Sequence, residues 1–145
     1  MTSKIPIKIK KLHPDAKLPC YAHEGDAGLD LFSTEDKIIL PKERALISTG
    51  ISVEMPEGFV ALVWDKSGLA AKSGITTLAG VIEYTYRGEY KIALLNTSDQ
   101  EHIIKKGDKI AQLLIQPIAT ADIQETTELS ETQRGDGAFG STGIS

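Results

Sequence analysis

The chain has 145 residues, of which 41% are hydrophobic and 25% are charged. This length fits a single domain with one core, and the composition excludes a disordered or collagen-like chain. Sixteen Lys and Arg against twenty Asp and Glu leave a net charge of −4, so we expect no nucleic acid as a partner.

The cysteine content and the N-terminus bear on the cellular location. The chain has one cysteine, Cys20, which cannot form an internal disulfide and has no Cys or His partner at metal-ligand spacing, so we expect it in the core. The first twelve residues, MTSKIPIKIKKL, lack the features of a signal peptide, and no segment approaches the roughly 18 apolar residues of a membrane span. We therefore expect a cytoplasmic location and no membrane partner.

Short apolar or alternating runs, separated by Pro- and Gly-containing turns, follow one another along the chain and predict β-strands. In chain order they are IPIKIKKL, KIIL, ALISTGISVEM, FVALVW, AGVIE, EYKIALLNTS, EHIIKKGDKIAQLLIQPI and DIQETTEL. Only KSGLAAKSG is able to form a helical turn or two. Because no ten-residue amphipathic helix separates the strands, βαβ units are excluded. The pattern predicts an all-β sandwich, jelly roll or β-barrel-like fold.

The C-terminal segment differs in composition from the rest. We place the folded domain at residues 1–130 and a flexible arm at residues 131–145, where Gly, Ser, Thr and charged residues replace the strand pattern. By itself such a composition favours a disordered linker. The alternative is a phosphate cradle, in which Arg134 supplies a forked donor, Ser141 and Thr142 supply hydroxyls, and Phe139 supplies an aromatic surface.

Polar residues in three short stretches are suited to bind a ligand with phosphates or its metal ion, although each has a structural alternative. Asp30 either caps a turn or pairs with a cation, or it holds a hydrated Mg²⁺. Lys66, Ser67 and the Gly68 amide stand at the start of the predicted helical turn, where donors suit an anion. Taken alone, this motif favours the structural alternative, in which Ser67 is an ordinary N-cap and Lys66 is solvated. Gln112 lies inside an apolar strand and needs a backbone or ligand partner.

Residues 80–88 predict a β-hairpin with a carboxylate, Glu83, at the end of its first strand. The structural alternative for Glu83 is a salt bridge with Arg87 or Lys91, and for Tyr86 it is packing. The functional interpretation is a pocket in which backbone groups contact the edge of a pyrimidine. Tyr86 would then lie under the sugar, and Glu83 would activate a water.

The order of these motifs resembles that of the trimeric dUTP diphosphatase (dUTPase) family, from about Pro14 to Gly143. The five matching stretches are AGLDL, KSGLAAKSGI, GVIEYTYRGE, GDKIAQLL and RGDGAFGSTG. The resemblance implies a distorted β-barrel or jelly roll that forms a homotrimer, with the arm closing over the active site of a neighbouring subunit. It also implies Mg²⁺-dependent hydrolysis of dUTP to dUMP and diphosphate, which removes dUTP and supplies dUMP for thymidylate synthesis.

The resemblance also implies which residues bind the nucleoside and catalyse the reaction. Glu83 and Asp30 are the catalytic residues: Glu83 orients the attacking water, and Asp30 holds a water of the magnesium shell. Tyr86 packs under the deoxyribose and excludes a ribose 2′-hydroxyl. Thr77 stands where family members often carry an amide side chain. The nucleoside-binding residues are Thr77, Gly80, Val81, Ile82, Tyr86 and Lys91.

Two further groups are implied to bind the triphosphate. The first contacts the α- and β-phosphates and comprises Lys66, Ser67, Gly68 and Gln112. The second belongs to the arm, where Phe139 covers the base and the other members clamp the γ-phosphate: Arg134, Gly140, Ser141 and Thr142. Fixed donors and a metal ion suit the charge that develops on the phosphates.

Two departures from the family pattern leave alternatives open. The family usually has aspartate where this chain has Glu83, and a carboxylate displaced by about 1 Å can cost on the order of a hundredfold in rate. Lys66 replaces an arginine and lacks its planar fork, and Asp65 is placed to pair with it. A nucleotide-binding homologue with impaired catalysis is therefore one alternative. A dCTP deaminase is disfavoured, because Ala93 stands where those enzymes carry an acid.

Overall fold

The computed structural model describes residues 3–143. In this part of the chain, eleven strands and one short helix follow one another. Their bounds are β1 Lys8–Lys11, β2 Leu29–Phe32, β3 Lys37–Ile39, β4 Arg44–Ser48, β5 Ile51–Glu54, β6 Phe59–Trp64, α1 Ser67–Ser73, β7 Ile75–Leu78, β8 Val81–Glu83, β9 Lys91–Asn96, β10 His102–Ile104 and β11 Lys109–Pro117.

The strands pair antiparallel in four small sheets. The larger two have the orders β2-β11-β6-β8 and β4-β9-β7, and the others pair β1 with β5 and β3 with β10. The prediction of an all-β, jelly-roll-like fold is confirmed. Within the described residues the sheets do not close on one another as a single hydrogen-bonded barrel.

The core follows from the two-residue alternation of the strands, which β9 shows most clearly. Ile92, Leu94 and Asn96 point inward, while the residues between them are more exposed. Asn96 is fully buried, and its Nδ2 donates to the Ile39 carbonyl at 2.9 Å. This bond satisfies the amide donor and ties β9 to β3.

The predicted hairpin at residues 80–88 is wrong, because its two strands enter different sheets. β8 pairs with β6, in the register Val60 to Glu83, whereas β9 pairs with β4 and β7. The chain turns after Glu83, whose carbonyl accepts the Tyr86 N–H at 3.1 Å. The Tyr90 N–H then bonds the Ile51 carbonyl at 2.8 Å, which directs the chain away from β8. A cavity lies where the two strands diverge.

The predicted helical turn is confirmed as α1. It has seven residues and ends at Gly74, which adopts φ 66° and whose N–H bonds the last turn of the helix. Among residues 3–143 no helix is long and apolar enough to cross a membrane.

Two local predictions are wrong. The run DIQETTEL forms no strand: residues 118–143 are without helix or strand and are almost entirely exposed. Its apolar residues, such as Ile123, do not alternate on one face and are exposed, so pairing would bury no apolar surface. Cys20 is also exposed, because only its backbone is engaged, with its carbonyl accepting the Asp30 N–H at 2.8 Å.

Candidate active site

A cavity of about 650 Å³ lies between β8 and β9. Its wall combines the last residue of β7, the two residues before β8, the whole of β8, the following turn and the start of β9. The structure thereby brings together six residues that the sequence assigned to the site: Gly80, Val81, Ile82, Glu83, Tyr86 and Lys91.

Gly80 has a steric reason to be glycine. It adopts φ 124°, and a Cβ there would lie 2.8 Å from the Val63 carbonyl oxygen. Its own carbonyl accepts the Val63 N–H at 2.8 Å. This close approach to β6 sets the backbone of Val81 and Ile82 along the cavity.

Glu83 is exposed at the rim of this cavity. The predicted salt bridge with Arg87 or Lys91 is wrong: Arg87 instead lies 3.6 Å from Glu54 and donates to the Tyr84 carbonyl at 2.6 Å. Among residues 3–143, no group forms an ion pair or hydrogen bond with the Glu83 carboxylate. It is therefore available to a water or a ligand.

A second cavity of about 680 Å³ shares Gly80 and Val81 with the first, and Ser67, Thr77 and Gln112 contribute to its wall. The carboxylate of Asp65 accepts the Thr77 N–H and the hydroxyls of Thr76 and Thr77, each at 2.7 Å. The Asp65 carbonyl accepts Gln112 Nε2 at 2.7 Å. Thr77 and Gln112, both assigned to substrate, are thus engaged with Asp65 in this structure.

These hydrogen bonds explain why the pKa of the Asp65 carboxyl is lowered. Burial alone would raise the pKa of its carboxyl, but the hydrogen bonds from Thr77 and Thr76 outweigh burial and hold the pKa below its ordinary value. The suggested pairing of Asp65 with Lys66 is wrong, because Lys66 turns the other way, towards Asp30.

Asp30 is the most buried of the candidate carboxylates, with 3% of its side chain exposed. Lys66 Nζ donates to Oδ1 at 2.5 Å, and Lys109 Nζ forms an ion pair with Oδ2 at 3.1 Å. Burial would raise the pKa of the Asp30 carboxyl, but the two lysines more than offset this and lower the pKa. The cation-pairing alternative for Asp30 is therefore observed, and Lys66 is held rather than solvated.

The start of α1 differs from the predicted serine cap. Lys66 occupies the N-cap position with extended backbone and no side-chain cap, and Ser67 is the first helical residue. Ser67 and Gly68 are exposed. A Cβ at Gly68 would meet no atom within 4 Å, so nothing in the described residues requires glycine there. Its missing side chain suits close approach by a group from outside the chain.

The arm residues lie apart from these groups. Arg134 Nε donates to the nearby Gly137 carbonyl at 2.7 Å, and Phe139 is fully exposed. Within residues 3–143 the polar contacts of Arg134, Gly140, Ser141 and Thr142 stay inside the arm. The structure thus separates the candidate residues into the cavity between β8 and β9, a group around Asp30 and α1, and the arm.

Sequence reasoning missed the part played by Lys109 and by Gly28. The pairing of β11 with β2 places Gln112 opposite Asp30, and an irregularity after Lys109 lets that lysine reach the same carboxylate. A Cβ at Gly28 would overlap the Gln112 amide. In the sequence, the signal for these ion pairs was limited to the presence of Lys66 and Lys109 in two of the motifs that resemble the family. Their distance from Asp30 depends on strand register, which the motifs do not specify.

The comparisons with known proteins decide the family. A family model described as dUTPase matches residues 14–143. The chain belongs to the dUTPase family. It is 55% identical over 139 residues to the deoxyuridine 5′-triphosphate nucleotidohydrolase of Clostridium tetani, with 94% of this chain and 96% of the relative covered.

Two solved structures share the fold. Staphylococcus bacteriophage 80alpha dUTPase with dUPNHPP has a TM-score of 0.90 and 31% identity, covering 96% of this chain and 99% of the other. A mutant dUTPase from phage phi11 of S. aureus, whose structure is described as showing the coordination of a structural Mg(II) ion, has a TM-score of 0.81 and 28% identity. That match covers 87% of this chain and 99% of the phage protein. The family resemblance stated from the motifs is confirmed.

Proposed function

We infer that this chain hydrolyses dUTP to dUMP and diphosphate. The observation that carries the inference is the carboxylate of Glu83, which is unpaired among residues 3–143 and lies at the rim of a nucleoside-sized cavity, in a chain of the dUTPase family. Attack of water on phosphorus needs an oriented water, and a free carboxylate within reach is suited to that task.

The cavity between β8 and β9 is proposed to bind uracil and deoxyribose. Its volume of about 650 Å³ lies within the range of small-molecule sites. Backbone groups of Gly80, Val81 and Ile82 would contact the base, together with Lys91. Tyr86 would lie against the sugar, leaving no room for a 2′-hydroxyl.

The group around α1 is proposed to bind the phosphates. Lys66 is already fixed by Asp30 at the point where α1 begins, and Ser67 and Gly68 are exposed beside it. Their hydroxyl and amide would donate to the α- and β-phosphates, with Gln112 approaching from β11. Thr77 is less suited to contact the substrate directly, because both of its donors are bound to Asp65.

Mg²⁺ is proposed to enter with the triphosphate. Among residues 3–143 no cluster of three His, Cys, Asp or Glu side chains is suited to hold a metal, but Mg²⁺ usually needs only one or two carboxylates plus substrate phosphates. Within residues 3–143 the polar contact of Asp30 Oδ2 is the ion pair with Lys109 Nζ at 3.1 Å. This oxygen would accept a water of the ion after Lys109 moves aside. The ion would offset phosphate charge and polarise the phosphoryl oxygens.

A homotrimer with an exchanged arm is proposed to complete the site. Glu83 and Asp30 do not line the same cavity within one chain, and the described arm residues, 131–143, form hydrogen bonds only within the arm. Leu46, Trp64 and Val81 are each more than half exposed around the two cavities, which suits burial against another subunit. The arm, residues 131–145, would close over a neighbouring subunit's site, and residues 1–130 would form the domain.

Impaired catalysis is a second candidate, favoured by the extra methylene of Glu83. A dCTP deaminase is not supported, since Ala93 lines the cavity where an acid would be needed. The test is diphosphate release from dUTP, dTTP, dCTP and UTP with Mg²⁺, beside a Glu83→Gln control. Selective turnover of dUTP that the control loses supports the proposal. Nucleotide binding without turnover favours the impaired homologue, and ammonia release from dCTP overturns both.

A further inference from the structure

Tyr86 is held against the turn from which it projects. Its hydroxyl donates to the Glu89 carbonyl at 3.1 Å, and its ring stacks on Tyr90 with centroids 6.3 Å apart and planes at 27°. A Cβ at Gly88 would overlap the Tyr86 ring. With 45% of Tyr86 exposed, its position depends on these few contacts.

The two residues that support Tyr86 are themselves fixed by a distant segment, residues 48–51 between β4 and β5. The Glu89 carboxylate accepts the Ser48 hydroxyl and the Gly50 N–H. The Tyr90 N–H donates to the Ile51 carbonyl at 2.8 Å, and the Tyr90 carbonyl accepts the Thr49 hydroxyl. Each residue from 48 to 51 therefore contributes one contact to this support.

The segment at residues 48–51 is itself rigidly placed. Thr49, Gly50 and Ile51 are buried, and Gly50 adopts φ 67°, where a Cβ would lie 2.9 Å from side-chain atoms of Ala16 and Thr34. Hydrogen-bonded and sterically enclosed on both sides, the segment has little freedom to shift. Its contacts can therefore hold Glu89 and Tyr90 in place.

We propose that Glu89 and Tyr90, anchored on residues 48–51, are positioning residues that hold Tyr86 as the sugar-selecting side chain. This inference rests on the proposed function. Without the Tyr90 ring, Tyr86 loses its stacking partner and can rotate away from the cavity. A 2′-hydroxyl then finds room, and discrimination between deoxyribose and ribose falls.

The Tyr90 hydroxyl separates the role of the ring from that of the polar group. It is buried without a hydrogen-bond partner in the described chain, so it contributes nothing to the anchoring. Tyr90→Phe should keep the support, whereas Tyr90→Leu should remove the stacked ring. Glu89→Ala should release the bonds to Ser48 and Gly50 while leaving the cavity wall of β8 unchanged.

The experiment measures two ratios on the full chain with Mg²⁺. The first is the calorimetric affinity for α,β-imido-dUTP over α,β-imido-UTP, and the second is kcat/KM for dUTP over UTP. Ile39→Val, a buried change outside both cavities, controls for loss of stability. We expect Tyr90→Leu and Glu89→Ala to lower both ratios by about tenfold or more, and Tyr90→Phe and Ile39→Val to change them less than about twofold.

The binding ratio keeps this inference distinct from the proposed function. If the parent binds the deoxy analogue selectively but releases no diphosphate, the proposed function fails and the affinity ratios still test the support. Unchanged ratios in Tyr90→Leu overturn the inference. If Tyr90→Leu does not fold, Glu89→Ala decides, and an unchanged affinity ratio in that variant overturns it equally.

Discussion

Replacing Glu83 by aspartate tests whether the longer side chain limits the reaction. The Glu83 backbone is fixed on both sides: it pairs with Val60 in β6, and its carbonyl accepts the Tyr86 N–H at 3.1 Å. The backbone therefore has little freedom to compensate for a change in side-chain length. The extra methylene adds one C–C bond, about 1.5 Å, to the reach of the carboxylate.

The expected effect follows from that displacement. A misplacement of about 1 Å can cost on the order of a hundredfold in rate, so Glu83→Asp should raise kcat by roughly 10- to 100-fold. KM should change by less than about threefold, because the carboxylate acts on the attacking water rather than on the nucleotide. The assay is steady-state diphosphate release from dUTP with Mg²⁺.

The control is Glu57→Asp, the same shortening at an exposed turn position outside both cavities. It should leave kcat unchanged. Equal or lower kcat in Glu83→Asp, with unchanged thermal unfolding, would refute the displacement argument. Glu83 would then already place its water correctly, through a side-chain conformation that suits the longer residue.

Three further predictions concern charge, the arm and a buried hydroxyl. Asp30→Asn should lower the free energy of unfolding by about 2–3 kcal/mol, measured with urea at pH 7, because Lys66 and Lys109 lose a buried partner. Since the pKa of Asp30 is lowered on folding, its contribution is present above about pH 3.9 and is lost as pH falls through the folded value. The parent should therefore lose more stability over this range than Asp30→Asn, which keeps the contribution of Asp65. Phe139→Ala should change the free energy of unfolding by less than about 0.5 kcal/mol, because the ring is fully exposed. Because the proposed arm closes over the site, the same variant should lower kcat/KM for dUTP by about tenfold or more. An unchanged kcat/KM would contradict that role. Burial raises the pKa of Tyr90 to about 12, so the parent should lose more stability than Tyr90→Phe as pH rises from about 10 to 12. Thermal unfolding of both proteins over that range measures the difference.

The predictions that the structure confirms depend on local sequence features. Gly74 ends α1 because its backbone adopts the left-handed conformation, and glycine after an apolar run indicates such an end. The alternation in β9 likewise predicts which residues face inward. These features depend on neighbours a few residues apart, so the local sequence contains them.

The errors share a physical origin in pairing over long distances. The predicted hairpin is wrong because β8 pairs with β6 rather than with β9. The sequence of the turn between β8 and β9 does not indicate that the Tyr90 N–H bonds the Ile51 carbonyl, which directs the chain away from β8. Cys20 was placed in the core from its residue type alone, whereas burial depends on which elements cover it. The assigned substrate-binding residues stay predictions.

By itself the sequence determined the strand-rich composition, the helical turn and the five motifs that indicate the family, because each is a property of adjacent residues. Only the tertiary structure decided that Lys66 pairs with Asp30 rather than Asp65. It alone showed that residues 48–51 support the turn carrying Tyr86. Such contacts join segments about 40 residues apart, and their distance is set by strand register and sheet packing, which no local pattern specifies.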